Sequence, residues 1–272
     1  MRKQLAIGII GVAAALLTAV TACSAQQPSG PRVGMAANRV AAAKPTIVLV
    51  HGAWADATGW QNIIPILQRD GYKVRAVQNA LTSLPNDVAT TKRMIDAESK
   101  LGPVVVVAHS YGGTVVTEAA AGNPNVKALV FLSAFTPEAA EPFGRYLQDY
   151  PAPLGNALRP DDGGFVYIDP AQFPTVFAGG VPEREARVMA VTQKPLFGGI
   201  LSEAPAAAAW HTIPSWYLVT LDDQAINPKL QRFYAHRMNA TISEIHASHV
   251  SFITRPQEVA RFILQAVGSV GN

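Results

Sequence analysis

Beyond residue 45 the chain alternates two hydrophobic rhythms. Short apolar runs occupy residues 46–50, 72–77, 103–107, 126–132, 215–219 and 241–245. Runs this short and this rich in β-branched residues predict strands buried on both faces. Between and after them, apolar positions recur at helical spacing over 58–69, 87–100, 114–121, 227–237 and 255–267. Trp60, Ile63, Ile64, Ile66 and Leu67 mark the first of these, Gly71 stops it, and Asn86 is placed to cap the second. Strands that alternate with helices predict an α/β architecture, a mostly parallel six-stranded sheet with helices on both faces.

The rhythm breaks once. Residues 137–210 are rich in proline and glycine and hold only short helical patterns, the clearest at 182–191. A stretch of this length is too long for a connecting loop, so it reads as a cap inserted after the fourth strand. Nine of the 21 aromatic residues fall in it. Most of them form the cap's own small core, and a few are expected to face the site and make it apolar.

The first 44 residues have neither rhythm. Met1-Arg2-Lys3 precedes an uncharged apolar stretch from Leu5 to Val20, and Thr21-Ala22-Cys23 follows. The apolar part is short and ends at a small-residue cut site, which predicts a signal peptide over residues 1–22 rather than a spanning helix. The cut site resembles a bacterial lipobox, which implies cleavage before Cys23 and acylation of its sulfur. Cys23 is the only cysteine, and a lone thiol in an exported chain is accounted for by such an anchor. The alternative is plain secretion with cutting after Ala22 or Ala25. Residues 23–44 then read as the anchor cysteine and a tether, and 45–272 as one domain.

The formal charge of +3 belongs to this leader. Arg2, Lys3, Arg32, Arg39 and Lys44 lie in it, and residues 45–272 carry 17 basic against 19 acidic side chains. A nearly neutral body excludes a nucleic-acid partner; the membrane would be met through the N-terminal anchor. No Cys/His cluster, H-E-x-x-H sequence or calcium loop is present, so no metal is expected. No G-x-G-x-x-G follows a strand, so no dinucleotide is expected either.

Candidate chemistry centres on Ala108-His109-Ser110-Tyr111-Gly112, between the third strand and the helix after it. Strand, sharp turn and helix make the setting for a nucleophile elbow. The serine sits in a strained conformation, so its neighbours two before and two after must be small, and Ala108 and Gly112 are. Two further strand ends supply acid and base: Asp222 and Asp223 after the fifth strand, His246 and His249 after the sixth. In an open parallel sheet these ends converge. A serine hydroxyl needs a base to take its proton, imidazole is that base near neutral pH, and a buried carboxylate fixes the imidazole tautomer. The chain order Ser, Asp, His is that of α/β-hydrolases.

The body resembles the small six-stranded α/β-hydrolases that include methyl-ester-cleaving plant esterases, hydroxynitrile lyases and bacterial pyrethroid-type esterases. The resemblance spans about residues 45–268. It rests on V-L-V-H-G-A-W at 48–54, V-A-H-S-Y-G-G at 107–113, F-L-S-A-F-T-P-E at 131–138, W-H-T-I-P-S-W-Y-L-V-T at 210–220, D-Q-A-I-N-P at 223–228 and S-H-V at 248–250. M-A-V-T-Q-K-P at 189–195, in the cap, fits the bacterial members.

The resemblance implies the α/β-hydrolase fold and a triad of Ser110, Asp223 and His249. Asp222 is then a loop residue, and His246 packs or bonds locally. His109 supports the elbow, His51 braces its loop, and His211 and His236 are surface or helix residues. The resemblance also implies an oxyanion hole made by the backbone N–H groups of Ala53 and Tyr111. Trp54 and Phe135, at strand ends, are candidate walls of the substrate pocket. The expected activity is hydrolysis of small to medium carboxylic esters with an apolar part, without a cofactor. Hydroxynitrile lyases of this group carry threonine where this chain has Gly52 and lysine where it has Val250, which argues for hydrolysis. A haloperoxidase-like perhydrolase on the same scaffold and a non-catalytic ligand-binding surface lipoprotein remain as alternatives.

Overall fold

A computed structural model describes residues 44–271. Strands β1 (Thr46–Val50), β2 (Val74–Val77), β3 (Val104–His109) and β4 (Val126–Leu132) alternate with helices α1 (Ile64–Arg69), α2 (Leu84–Ser99) and α3 (Gly112–Ala119). The excursion after β4 contains β5 (Leu158–Pro160), β6 (Phe165–Ile168), α4 (Phe173–Val176), α5 (Glu183–Thr192) and β7 (Leu196–Phe197). The chain then returns through β8 (Ser215–Thr220), α6 (Pro228–Arg237), β9 (Thr241–Ile245), α7 (Ser251–Thr254) and α8 (Pro256–Gly268).

Six strands form one sheet in the order β2-β1-β3-β4-β8-β9, and every pair is parallel. The continuous apolar runs account for this, because β1 and β3 are buried at every position. The chain steps from β1 to β2 in one direction and crosses back to β3 in the other. Right-handed crossovers therefore place α1 and α2 on opposite faces. On one face α2 packs with α3 over β1 and β3, and on the other α1 packs with α8. The reversal leaves a crevice outside the C-terminal ends of β1 and β3, the position at which open α/β sheets hold ligands.

Three local features depart from the sequence reading. The segment at 58–69 is a 3₁₀ turn, Ala57–Asn62, followed by the short α1, with Pro65 in the first turn of α1. Helix α2 begins earlier than expected, and its cap is Ser83, whose hydroxyl accepts from the Asn86 N–H at 3.3 Å. The inserted stretch is not purely helical, since β5, β6 and β7 make a small antiparallel sheet. Asp161 turns its β5–β6 hairpin by accepting the N–H groups of Gly163 and Phe165 at 2.9 and 2.8 Å. The expected signal peptide, Cys23 and most of the tether lie outside the described residues. Among the described residues, no helix is long and apolar enough to cross a membrane.

The insertion is anchored at one ion pair in particular. Arg237 of α6 makes two bonds to Glu141, at 2.7 and 3.1 Å, and donates to the Thr136 carbonyl at 2.7 Å. Its guanidinium also lies against the rings of Tyr146, Trp210, Phe233 and Tyr234. Burial would otherwise penalise this cation; the paired carboxylate holds its pKa above the ordinary arginine value.

Candidate active site

Ser110 occupies the turn between β3 and α3 with φ +53°, in the left-handed region that a side chain rarely adopts. The surrounding backbone determines this conformation. The Ser110 carbonyl accepts from Gly113 N–H at 2.9 Å and from Phe135 N–H at 3.1 Å, which ties the elbow to the end of β4. A Cβ on Gly112 would lie 2.6 Å from the His51 carbonyl oxygen, and one on Gly52 would lie 2.6 Å from the Ser110 Cβ. Gly113 packs as closely against the Phe135 carbonyl. The turn is therefore built for glycine at three positions, of which the small-residue rule anticipated Gly112.

Asp223 and His249 meet as expected. Nδ1 of His249 donates to Oδ2 of Asp223 at 2.9 Å, and both side chains are buried. The bond leaves Nε2 as the basic nitrogen. Asp223 has its remaining acceptor capacity filled. Its Oδ1 takes the N–H groups of Ala225 and Ile226 at 2.7 and 2.9 Å, and its Oδ2 takes the Thr220 hydroxyl at 2.8 Å and Gln231 Nε2 at 2.9 Å. A buried carboxylate with this many donors is held in one orientation. Asp222 and His246 instead face solvent and contact each other at 3.4 Å.

The His249 loop is held from behind. The His249 carbonyl accepts from His109 Nε2 at 3.0 Å and from the Ser133 hydroxyl at 3.2 Å. The His109 and His249 rings lie 4.5 Å apart between centroids, and Phe177 of the insertion meets the His249 ring edge-on at 5.1 Å. Among the described residues, no hydrogen bond joins the Ser110 hydroxyl to the His249 ring. Such bonds are often long in ligand-free sites and tighten when substrate arrives.

His109 and His51 are both kept neutral. Burial lowers the His109 pKa well below the ordinary value, and the neighbouring His249 lowers it further. Burial likewise lowers His51 to about 4, against a smaller opposing effect of its bond to Gly52. His51 Nε2 accepts the Asn79 N–H at 3.0 Å, so the proton sits on Nδ1, which donates to the Gly52 carbonyl at 2.8 Å. That bond closes the turn carrying Ala53. His211 bonds to Glu138 at 2.9 Å on the surface.

A cavity of about 200 Å³ opens over Ser110. Ala53, Trp54, Tyr111 and Phe135 all line it, together with Phe143 and Leu154 from the insertion. Trp54 adopts φ +56° and donates its indole N–H to the Val166 carbonyl of β6 at 2.8 Å, joining the β1 loop to the inserted sheet. No lining side chain is ionisable apart from Tyr111, whose hydroxyl donates to Asp87 at 3.0 Å. Ala53 and Tyr111 are buried, and neither N–H has a hydrogen-bond acceptor among the described residues. Two unclaimed donors beside a serine can stabilise an oxyanion.

Asp87, Asn79 and Ser133 are the members of this surround that the sequence reading missed. Only Ser133 had a visible cue, since it ends a strand at the rim of the sheet.

Comparison with known proteins identifies the family and the fold. A family model described as "Alpha/beta hydrolase family" matches residues 47–262. Methylesterase 1 of Arabidopsis thaliana is 24% identical over 252 residues, covering 82% of this chain and 95% of that protein. Polyneuridine aldehyde esterase of Rauvolfia serpentina is 25% identical over 246 residues, covering 80% and 93%. Among solved structures, a pyrethroid hydrolase from Sphingobium faniae JZ-2 superimposes with TM-score 0.70 at 20% identity, covering 83% of this chain and 98% of that one.

Proposed function

The chain belongs to the alpha/beta hydrolase family, and from that premise we propose that it is a serine esterase acting on small to medium carboxylic esters with an apolar part. Its relatives named above are esterases and hydrolases. The observation that carries the reading is the buried His249–Asp223 bond of 2.9 Å beside a serine held at φ +53° under an apolar cavity.

In this reading Ser110 Oγ attacks the ester carbonyl while His249 Nε2 takes its proton. Asp223 stabilises the imidazolium that forms. The carbonyl oxygen becomes an anion that accepts the Ala53 and Tyr111 N–H groups. Collapse breaks the bond to the alcohol, which leaves with the proton from His249, and an acyl-enzyme remains on Ser110. A water molecule then attacks the acyl carbonyl with His249 as base, the acyl–Oγ bond breaks as His249 returns the proton to Ser110, and the acid departs.

The cavity supports the substrate class. Its wall offers aromatic and aliphatic surface and no charged group to pair with a carboxylate or an amine. Leaving such a charge unpaired in an apolar cavity costs several kcal/mol, on the order of the penalty for any buried lone ion.

The deciding experiment uses p-nitrophenyl esters and a fluorophosphonate label. Ser110→Ala is expected to abolish both turnover and labelling while the protein stays folded. Labelling that survives in the variant means the nucleophile is another residue. A wild-type chain that neither labels nor turns over esters would support the ligand-binding lipoprotein instead. The leader of residues 1–22 and the cysteine after it further support export with a lipid anchor at Cys23.

A further inference from the structure

The two backbone donors proposed for the oxyanion hole lie on different segments, yet both are tied to one short loop, residues 79–81. On the Ala53 side, Asn79 N–H donates to His51 Nε2 at 3.0 Å, and His51 Nδ1 donates to Gly52 O at 2.8 Å. On the Tyr111 side the link is Asp87. Its Oδ2 accepts the Tyr111 hydroxyl at 3.0 Å, and its Oδ1 accepts the N–H groups of Ala80 and Leu81 at 2.9 and 3.0 Å. Leu81 holds φ +62°, so the loop itself is constrained.

Asp87 is fully buried, and burial raises its pKa above the ordinary aspartate value. A hydrophobic side chain would fill that space at lower cost, because a buried carboxylate must recover its hydration from protein donors. This one recovers it from the loop and the phenol alone. Asn79 and Leu81 also meet the insertion. Lys194 donates to the Asn79 carbonyl, and Phe197 N–H donates to the Leu81 carbonyl at 2.9 Å.

We propose that Asp87 is a positioning residue for the oxyanion hole: its two oxygens clamp Tyr111 to loop 79–81 and so fix the spacing between the Tyr111 and Ala53 N–H groups. The proposal rests on the oxyanion assignment made above. Asp87 touches no reacting atom. Its effect reaches the site through the Tyr111 side chain on one side and through Asn79 and His51 on the other. Loss of the clamp lets the two donors drift relative to the developing anion, which weakens transition-state binding and leaves ground-state binding in the apolar cavity unchanged.

The test compares Asp87→Asn, Tyr111→Phe and the double variant in the full chain, measuring kcat, KM, thermal midpoint and inhibition by a trifluoromethyl ketone, whose hydrated or serine adduct mimics the tetrahedral anion. Each single variant is expected to lower kcat by about 10- to 100-fold with KM within about twofold. The ketone should lose affinity by the same factor as kcat/KM. The double variant should be no worse than the more severe single one, because both break the same clamp.

Full kcat in either folded single variant overturns the proposal. So does an activity loss that merely tracks the folded fraction and leaves ketone affinity per folded molecule intact. Should Asp87→Asn fail to fold, Tyr111→Phe decides alone, since it keeps the bonds from Asp87 to Ala80 and Leu81. A wild-type chain inert toward all esters overturns the esterase reading together with this one, whereas an active wild type with unaffected variants overturns this one only.

Discussion

His109 donates through Nε2 to the main-chain carbonyl of His249 at 3.0 Å, although 140 residues separate the two in sequence. The residue next to the serine thus carries a strut to the loop that bears the imidazole. The Ser133 hydroxyl adds a second strut to the same oxygen at 3.2 Å. Side chains from the Ser110 turn and from the end of β4 thus hold the backbone of the His249 loop, so the imidazole approaches from a position set by two neighbouring strand ends and not by its own short loop.

Replacing Asp223 with Asn is expected to lower kcat by about 10⁴-fold while leaving the fold intact, because the amide holds the imidazole in the wrong tautomer. Asp222→Asn should change kcat by less than about twofold, since Asp222 and His246 meet only at the surface. Steady-state kinetics on one ester separates the two aspartates. Equal losses in both variants would remove Asp223 from the triad.

Stability should fall on acidification. The folded-state pKa of His51 is near 4 and the unfolded value near 6.5. Between these values the unfolded chain binds a proton that the folded one refuses. The stability present above pH 6.5 is therefore lost progressively down to about pH 4 and then levels off for this group. His51 alone should cost on the order of 2 kcal/mol between pH 7.5 and pH 5. His109, shifted in the same direction, steepens the same window. Urea unfolding at both pH values measures the loss, and His51→Gln should remove its part of it.

Trp54 forms a wall of the catalytic cavity and also borders a second cleft of about 100 Å³, lined by Asp56, Glu185 and Gln193 among others. Trp54→Ala is expected to lengthen the space available to the acyl group. The ratio of kcat/KM for a bulky aryl-alkyl ester over that for an acetate should rise by about tenfold or more. Thermal stability should drop with it, by about 3 kcal/mol, from the lost ring contacts and the lost bond to Val166. An unchanged ratio across an acyl-length series would mean that the ring does not limit the cavity.

On the proposed export with a lipid anchor, Cys23→Ala is expected to move the protein from the membrane fraction to the medium, because the variant removes the sulfur that would be acylated. Immunoblotting of fractionated cells reads the change. Identical fractionation of the variant would remove the lipid anchor from the account.

Much of this fold is legible along the chain. Val104 to Val107 and Ile47 to Val50 are apolar at every position because both faces of their strands are covered, and such runs need no partner to be recognised. A serine, an aspartate and a histidine brought together are legible because strand ends converge by topology, whereas the choice of Asp223 over Asp222 and of His249 over His246 rests on the family resemblance. Asp87 was not legible. In sequence it is an ordinary acid in the first turn of a helix, and its meaning comes from Tyr111, 24 residues away. The inserted sheet was hidden for a related reason. Its strands have three, four and two residues, too short for a period of two to stand out from the prolines around them.

The excursion between β4 and β8 supplies more than half of the residues around the cavity, while Ser110, Asp223 and His249 all lie in the turns and loops that follow strands of the main sheet. On the proposed reading, reactive machinery and molecular selectivity are therefore encoded largely on separate stretches of one gene. A recombination event that exchanged residues 137–210 for those of a cousin whose segment also met Arg237 with an acid, as Glu141 does here, would hand the proposed catalyst a different diet.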